Sequence, residues 1–127
     1  MKNFRDWFKL KTKINNGNKI IYFHERELWW INLGVNVGSE QDGVGYKFLR
    51  PVVIIKKFNK KIFWGIPLTT KDKKGLFYYH FNFKNKKEIA EISQLKLIDS
   101  KRLVTKMGTL DKDNFDKIKK ITRDFLE

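Results

Sequence analysis

The sequence contains no cysteine, so disulfides, thiolate nucleophiles and cysteine-based zinc sites are all excluded. Acidic residues are scarce as well, because 14 Asp and Glu stand against 28 Lys and Arg, a formal net charge of +14. The basic excess extends from Lys2 to Arg123, and part of it has a second explanation in the mutational bias of an AT-rich genome. A field of this sign makes nucleic acid, an anionic membrane or an acidic protein the candidate partners.

Long hydrophobic runs are absent too. No segment has the length of a membrane span, and no apolar run of signal-peptide length follows Met1, so we expect a cytoplasmic protein without a membrane partner. No internal repeat or low-complexity tract is evident. At 127 residues the chain has the size of one ordinary domain, long enough to bury a core without disulfide or metal staples.

Helical spacing of apolar residues occurs near both termini. Phe4, Trp7, Phe8 and Ile14 predict a short amphipathic helix within an N-terminal extension of residues 1–24. Its apolar face packs on the body of the protein or on a partner, and the lysines beside it are candidates for nucleic-acid contact.

A second helix is predicted at the C-terminus. Asp111 is suited to cap it, and Leu110 and Phe115 are spaced as a hydrophobic staple. Ile118 and Phe125 continue the apolar face.

The middle of the chain is rich in β-branched and aromatic residues, which are typical of strands. Two runs joined by Asn59-Lys60 predict one hairpin, and a run that alternates from Phe77 to Phe83 predicts a second, with its turn at residues 84–87. Several short strands closed by a helix predict a mainly β, α+β fold, a small barrel over residues 25–127.

A long connection separates the first strand from Pro51. It contains four glycines and the polar group Ser39, Glu40 and Gln41, and it leads directly into Arg50. Long loops in small domains often act as functional lids. A disordered insertion is the alternative interpretation.

Arg50 opens an apolar strand, where an arginine must reach solvent or find an anion. An ion pair with Glu40 or Asp42 is the structural explanation, and a phosphodiester is the functional one. Thr69 and Thr70 end a later strand, where threonines commonly satisfy the turn backbone but also donate to phosphate oxygens. In so basic a chain, the arginine and the hydroxyls together indicate RNA or DNA chemistry.

These segments, in this order, resemble the PemK/MazF family of toxins from type II toxin–antitoxin systems. The resemblance covers roughly residues 25–126. The motifs that carry it are RELWWINLG at 26–34, GSEQ at 38–41, RPV at 50–52, PLTTK at 67–71 and SQLKLIDSKRL at 93–103.

The resemblance implies an SH3-like barrel with helices, a homodimer, and metal-independent endoribonuclease activity on single-stranded RNA, silenced by a cognate antitoxin. It assigns Arg50 and Thr69 to the scissile phosphate. Glu40 is the candidate for proton transfer, because arginine is a poor general base at neutral pH. The other residues expected to contact RNA are Ser39, Gln41, Thr70, Lys71, Gln94, Lys96 and Arg102.

Two features depart from the family pattern. The spacing from Gln41 to Arg50 is longer than in the shortest members, and Lys96 stands where many members carry arginine, which replaces a bidentate phosphate contact with a point charge. His24 and His80 are a conceivable acid–base pair, but nothing in their spacing joins them. Neither a cofactor nor a metal is expected, because no group of residues has metal-ligand spacing.

The partners follow from charge and composition. An acidic, disordered antitoxin segment and RNA are expected to compete for the same cationic surface. The aromatic excess of Trp29, Trp30, Phe63 and Trp64 favours a homodimer. Two other functions remain open, a non-catalytic nucleic-acid-binding barrel and a CcdB-like toxin that poisons a topoisomerase.

Overall fold

A computed structural model describes residues 20–32 and 49–127. Within these residues the chain forms seven β-strands and one α-helix, with short 3₁₀ turns at Ile92–Gln94 and Ser100–Arg102. The elements are β1 (Glu27–Asn32), β2 (Leu49–Lys57), β3 (Ile62–Thr69), β4 (Tyr78–Phe83), β5 (Lys86–Glu91), β6 (Lys96–Asp99), β7 (Leu103–Thr109) and α1 (Lys112–Leu126).

The strands form one antiparallel sheet in the order β4-β5-β3-β2-β1-β7, and β6 pairs with β3. In the part of the chain that the structure describes, no hydrogen-bonded ladder joins the edge strands β4 and β7. The two edges nevertheless meet, because Lys84 Nζ donates to the carbonyl oxygen of Met107 at 2.6 Å. The predicted α+β fold is confirmed, with a barrel-like open sheet.

Both predicted hairpins form, and one turn is shorter than predicted. Asn59 directs the β2–β3 turn, since its side-chain oxygen accepts from the backbone N–H groups of Lys61 and Ile62 at 2.7 and 3.1 Å. The β4–β5 turn contains only Lys84 and Asn85, whose φ angles are 51° and 65°. Two left-handed residues match the twist of the flanking strands, so the expected four-residue turn at 84–87 is wrong.

Buried side chains form two clusters on opposite faces of the sheet, because successive strand residues point to opposite sides. On β2, Val53 and Ile55 belong to the first cluster, and Val52 and Ile54 belong to the second. The predicted aromatic face of β4 is confirmed, since Phe81 is buried in the first cluster. Each fully buried aliphatic or aromatic side chain contributes roughly 1.5–3 kcal/mol.

Helix α1 covers the first cluster and begins as the sequence predicts. The carboxylate of Asp111 accepts from the backbone N–H of Asn114 at 3.0 Å. Hydrogen bonds from Asn114 hold the pKa of Asp111 below its ordinary value. Leu110 and Phe115 are both buried, which completes the staple, and Ile118 continues the buried face of the helix.

The aromatic residues expected at a dimer interface divide between core and surface. Trp29 and Phe63 are buried in the second cluster, while Trp30 and Trp64 are half-buried. The small sheet therefore absorbs more of this aromatic excess than the sequence suggested. The composition argument for a homodimer is correspondingly weaker.

A buried carboxylate anchors the start of β1. Glu27 accepts from the indole N–H of Trp29 at 2.9 Å and lies 3.1 Å from Lys106 Nζ. Burial pushes the pKa of Glu27 upward, but the hydrogen bonds from Trp29, His24 and Lys106 outweigh it and lower the pKa below its ordinary value. This network ties β1 to β7.

Three expectations concern residues outside those described. The predicted N-terminal helix and the long glycine-containing loop fall there, as do Ser39, Glu40 and Gln41. The division at residue 24 stays a prediction, although Phe23, just before it, is fully buried in the second cluster. Within 20–32 and 49–127, none of the helices has the length and apolarity that a bilayer crossing requires.

Candidate phosphate site at one end of the sheet

Arg50 and Thr69 occupy matching positions on neighbouring strands. The register of β2 and β3 places Val52 opposite Pro67. Arg50 and Thr69 each lie two residues beyond that pair, toward the same end of the sheet, and both line one cavity there. The sheet thus brings together the arginine and the threonine that the sequence assigned to one phosphate.

Arg50 is held by a buried carboxylate. Its Nη1 donates to Oε1 of Glu91 at 3.2 Å, and Lys73 Nζ lies 3.4 Å from Oε2 of the same carboxylate. The Glu91 side chain is 7% exposed, whereas Arg50 and Lys73 keep 45% and 42% of their side chains exposed. Two cations share one anion, so a net positive charge remains on the solvent side, where it can receive an anionic ligand.

Sequence reasoning missed both Glu91 and Lys73. Glu91 sits in the otherwise apolar run Ile89–Ile92, and a carboxylate in a buried strand was the available signal, since such a group needs a partner. Nothing separates Lys73 from the other lysines of its loop in the sequence. Glu40 and Asp42, which the sequence offered as ion-pair partners of Arg50, lie outside the described residues.

The Thr69 hydroxyl hydrogen-bonds to the turn backbone after β3, which is one of the two roles that the sequence predicted for it. Its oxygen accepts from the backbone N–H of Lys71 at 3.2 Å. A hydroxyl that accepts in this way keeps its own proton available for another acceptor. Thr69 is half-buried and Thr70 is exposed, so the strand end is open to a ligand.

A cavity of about 300 Å³ opens at this strand end. Arg50, Thr69 and Thr70 contribute to its wall. The other lining residues are Trp30, Leu49, Pro51, Leu68, Phe83, Lys84, Lys86, Glu88 and Met107. Burial raises the pKa of Glu88 above its ordinary value, and the nearby charge of Lys86 offsets part of that rise.

A profile of the PemK-like, MazF-like toxins of type II toxin–antitoxin systems matches residues 24–126. The chain belongs to this toxin family. The match spans nearly all of the described structure and includes Arg50 and Thr69. Among curated protein sequences, no match to the chain is found.

Solved structures share the fold of this PemK-like, MazF-like toxin at low sequence identity. An endoribonuclease in complex with its cognate antitoxin, from a Mycobacterial species, gives a TM-score of 0.66 at 11% identity, over 83% of this chain and 95% of that chain. Toxin MazF-mt6 of Mycobacterium tuberculosis gives 0.61 at 14%, over 80% and 96%. MazF of Deinococcus radiodurans gives 0.62 at 15%, over 84% and 98%.

The remaining residues expected to contact RNA are distributed around the toxin's sheet. Arg102 lies at the same end as Arg50, because its Nη1 donates to the carbonyl oxygen of Asn32 at 2.9 Å, and Asn32 is the last residue of β1. Lys96 pairs with Gly65, four residues along β3 from Thr69, which is about 13 Å at strand spacing.

Gln94 and Lys71 are exposed, as are Arg102 and Lys96. Gln94 lies on the 3₁₀ turn that follows Glu91, so the turn begins next to the ion pair. Their roles in RNA contact stay predictions.

The two histidines of the toxin do not form a pair. His24 Nδ1 lies 3.2 Å from Glu27, and His80 Nε2 lies 2.8 Å from the carbonyl oxygen of Lys73. The two rings thus have different partners, Glu27 at the start of β1 and Lys73 in the loop before β4. Within the described ranges, no three His, Asp or Glu side chains cluster closely enough to hold a metal ion.

Proposed function

We propose that this toxin is a metal-independent endoribonuclease that cleaves single-stranded RNA by attack of the RNA's own 2′-hydroxyl. One observation carries the proposal, namely that Arg50 and Lys73 flank the buried Glu91 at the strand end where Thr69 stands. Membership of the PemK-like, MazF-like toxins supports it. The fold similarity to a protein described as an endoribonuclease also supports it.

The proposed reaction needs little from the protein beyond placement and charge. A bond forms between the 2′-oxygen and phosphorus, and the bond from phosphorus to the 5′-oxygen of the next nucleotide breaks. The 2′-hydroxyl loses a proton and the leaving oxygen gains one, which gives a 2′,3′-cyclic phosphate and a 5′-hydroxyl. RNA supplies the nucleophile, so no cofactor is required.

The described residues divide these tasks. Arg50 and Lys73 neutralise the charge that develops on the phosphate oxygens, and such preorganised donors act most strongly where water is partly excluded. The Thr69 hydroxyl donates to a further phosphate oxygen, because its own oxygen already accepts from Lys71. Glu40 stays the proposed proton-transfer group on the strength of the sequence motif alone.

The proposed partners follow from the same charges. A net charge of +14 favours RNA and an acidic antitoxin alike, and the two would compete for the surface around Arg50. A structural relative was solved in complex with its cognate antitoxin, which supports such a partner here. We further propose a homodimer and a cytoplasmic location.

Incubation of the protein with single-stranded RNA in excess EDTA tests the proposal. We expect cleavage that is lost in Arg50→Ala and kept in Lys120→Ala, a control that removes one exposed cation from α1. Binding without cleavage would favour a nucleic-acid-binding barrel. If cells that express the protein stop growing while their RNA stays intact, the result would favour the poisoning of a protein target such as a topoisomerase.

A further inference from the structure

Glu88 is a buried carboxylate with one oxygen left unpaired. The residue is 4% exposed, and among the described residues no hydrogen-bond partner reaches its Oε1. Buried polar groups are nearly always paired, and an unpaired one destabilises the fold. A donor that arrives with a ligand would explain why a carboxylate occupies this position.

Neighbouring lysines do not supply that donor. Lys84 Nζ is directed to the carbonyl oxygen of Met107 at 2.6 Å. Lys86 lies on the same strand as Glu88, but its side chain is exposed. The lysines make the surroundings of Glu88 positive without pairing with Oε1.

The carboxylate lines the cavity that opens beside the phosphate site. Trp30, Phe83 and Met107 give this cavity an apolar part beside its polar residues, and its volume of about 300 Å³ lies at the lower end of small-molecule sites, roughly 300–1,000 Å³. Aromatic and apolar surfaces beside polar groups that hydrogen-bond to base edges are typical of pockets for an unstacked nucleobase.

This pocket adjoins the phosphate contacts, because Arg50 lines it together with Glu88. Glu88 shares the face of β5 with Ala90, which lies in the first core cluster, and Glu91, which holds Arg50, lies on the other face of β5. Thr69 borders the cavity at the end of β3. A phosphate at Arg50 therefore lies at the edge of this pocket, and the adjoining base can enter over the strand end.

We propose that this cavity binds one base of the RNA next to the cleaved phosphate and that Glu88 selects guanine there. The inference rests on the proposed endoribonuclease function. Guanine presents two adjacent donors, N1–H and the N2 amino group, to the two oxygens of a carboxylate. Uracil places carbonyl oxygens on both sides of its single donor, and adenine and cytosine each place an acceptor nitrogen beside the amino group, so each of the three can donate to only one oxygen of the Glu88 carboxylate at this edge.

The first test maps cleavage sites in a random single-stranded RNA pool in EDTA. We expect guanine to be enriched at one fixed position relative to the broken bond, and we expect Glu88→Gln to lose that enrichment while it still cleaves. The surface variant Asp124→Asn, which also neutralises one carboxylate, should keep the wild-type pattern. Enrichment that persists in Glu88→Gln, or no base preference in the wild type, would overturn the inference and leave the endoribonuclease intact.

A second test uses binding, so that it does not depend on cleavage. Oligonucleotides with 2′-O-methyl groups carry either guanine or inosine at the selected position, because inosine lacks only the N2 amino group. We expect the wild type to bind the guanine oligonucleotide roughly 5- to 150-fold more tightly, the discrimination typical of a good base contact. Equal binding of the two by the wild type would contradict the role of Glu88, whereas absent cleavage with retained discrimination would overturn only the proposed chemistry.

Discussion

Arg50 reaches over β3 to the carboxylate of Glu91, with 3.2 Å between Nη1 and Oε1. The sheet order makes this contact possible, since β3 lies between β2 and β5. The arginine is thereby fixed before any substrate arrives. Lys73 reaches the other oxygen of the same carboxylate, so that both cations are oriented by one buried group.

Arg50→Ala should reduce kcat for RNA cleavage by about 10²- to 10³-fold, the usual loss when one preorganised charge-stabilising donor is removed. RNA binding should fall much less, because other cations contribute to it. Single-turnover cleavage and a binding titration on the same RNA measure the two effects. Wild-type kcat in Arg50→Ala would remove this arginine from the site.

Glu91→Gln should lower kcat while KM for RNA stays unchanged or falls. The amide no longer orients Arg50 and Lys73 by charge, yet the site becomes more positive and keeps its attraction for RNA. Asp116→Asn is the matched control, since it breaks the exposed ion pair of Asp116 with Lys112, and such pairs contribute little. A rise in KM with unchanged kcat would show that Glu91 does not position the two cations for the reaction.

Glu88→Gln should stabilise the protein at neutral pH and above. Burial raises the pKa of Glu88 in the folded protein, so its contribution to stability is present at low pH and is lost as pH rises through that raised pKa. Lys86 on β5, Lys84 on the turn and Arg50 on β2 are the charged residues that line the same cavity. Glutamine does not ionise, so the variant does not lose this stability as the pH rises.

Urea unfolding of both proteins across a pH series measures the difference. We expect the free energy of unfolding of the variant to exceed that of the wild type by about 1 kcal/mol near neutral pH, with convergence below about pH 4, where glutamate is protonated in the unfolded chain as well. A difference in the free energy of unfolding that grows toward acid pH would contradict a raised pKa of Glu88 in the folded protein.

Gly108→Ala should destabilise the edge of the sheet beside the cavity. Its φ angle is 153°, and a Cβ added there would lie 2.7 Å from Cζ of Phe83, so the substitution combines backbone strain with a clash. Gly75→Ala is the matched control, because its φ angle is 141° but its nearest neighbour, Tyr78, would be 3.4 Å away. Thermal unfolding should show the larger loss for Gly108→Ala by roughly 1–3 kcal/mol. Equal losses would mean that β4 and β7 do not meet closely at Phe83.

A homodimer is expected in solution. Light scattering at micromolar concentration should give twice the chain mass of 15.3 kDa. The burial of Trp29 and Phe63 removes part of the aromatic argument, so the expectation rests mainly on family membership. A monomer across this concentration range would contradict it.

Local patterns predicted the elements well where one residue decides the geometry. Asp111, Leu110 and Phe115 predicted the start of α1, and the apolar runs predicted the hairpins. The β4–β5 turn was misjudged, because four polar residues in sequence do not reveal that Lys84 and Asn85 alone adopt left-handed angles.

The candidate site was predicted only in part. Arg50 and Thr69 were predicted from the family motifs, and both line the cavity at the strand end, while their roles at a phosphate stay predictions. Glu91, Lys73 and Glu88 were missed because their significance depends on burial and on contacts across the sheet. The carboxylate of Glu91 within an apolar run was a sign that it needs a partner, but a short stretch of sequence does not show which residues across the sheet supply one.

The most direct test uses an RNA with one mapped cleavage site and a twin that carries a single 2′-deoxynucleotide on the 5′ side of that site. In excess EDTA, we expect the toxin to cleave the all-RNA strand to a 2′,3′-cyclic phosphate and a 5′-hydroxyl and to leave the twin intact. Cleavage of the twin at the same bond, or a 3′-hydroxyl and a 5′-phosphate in the products, would contradict attack by the 2′-hydroxyl at the Arg50 site.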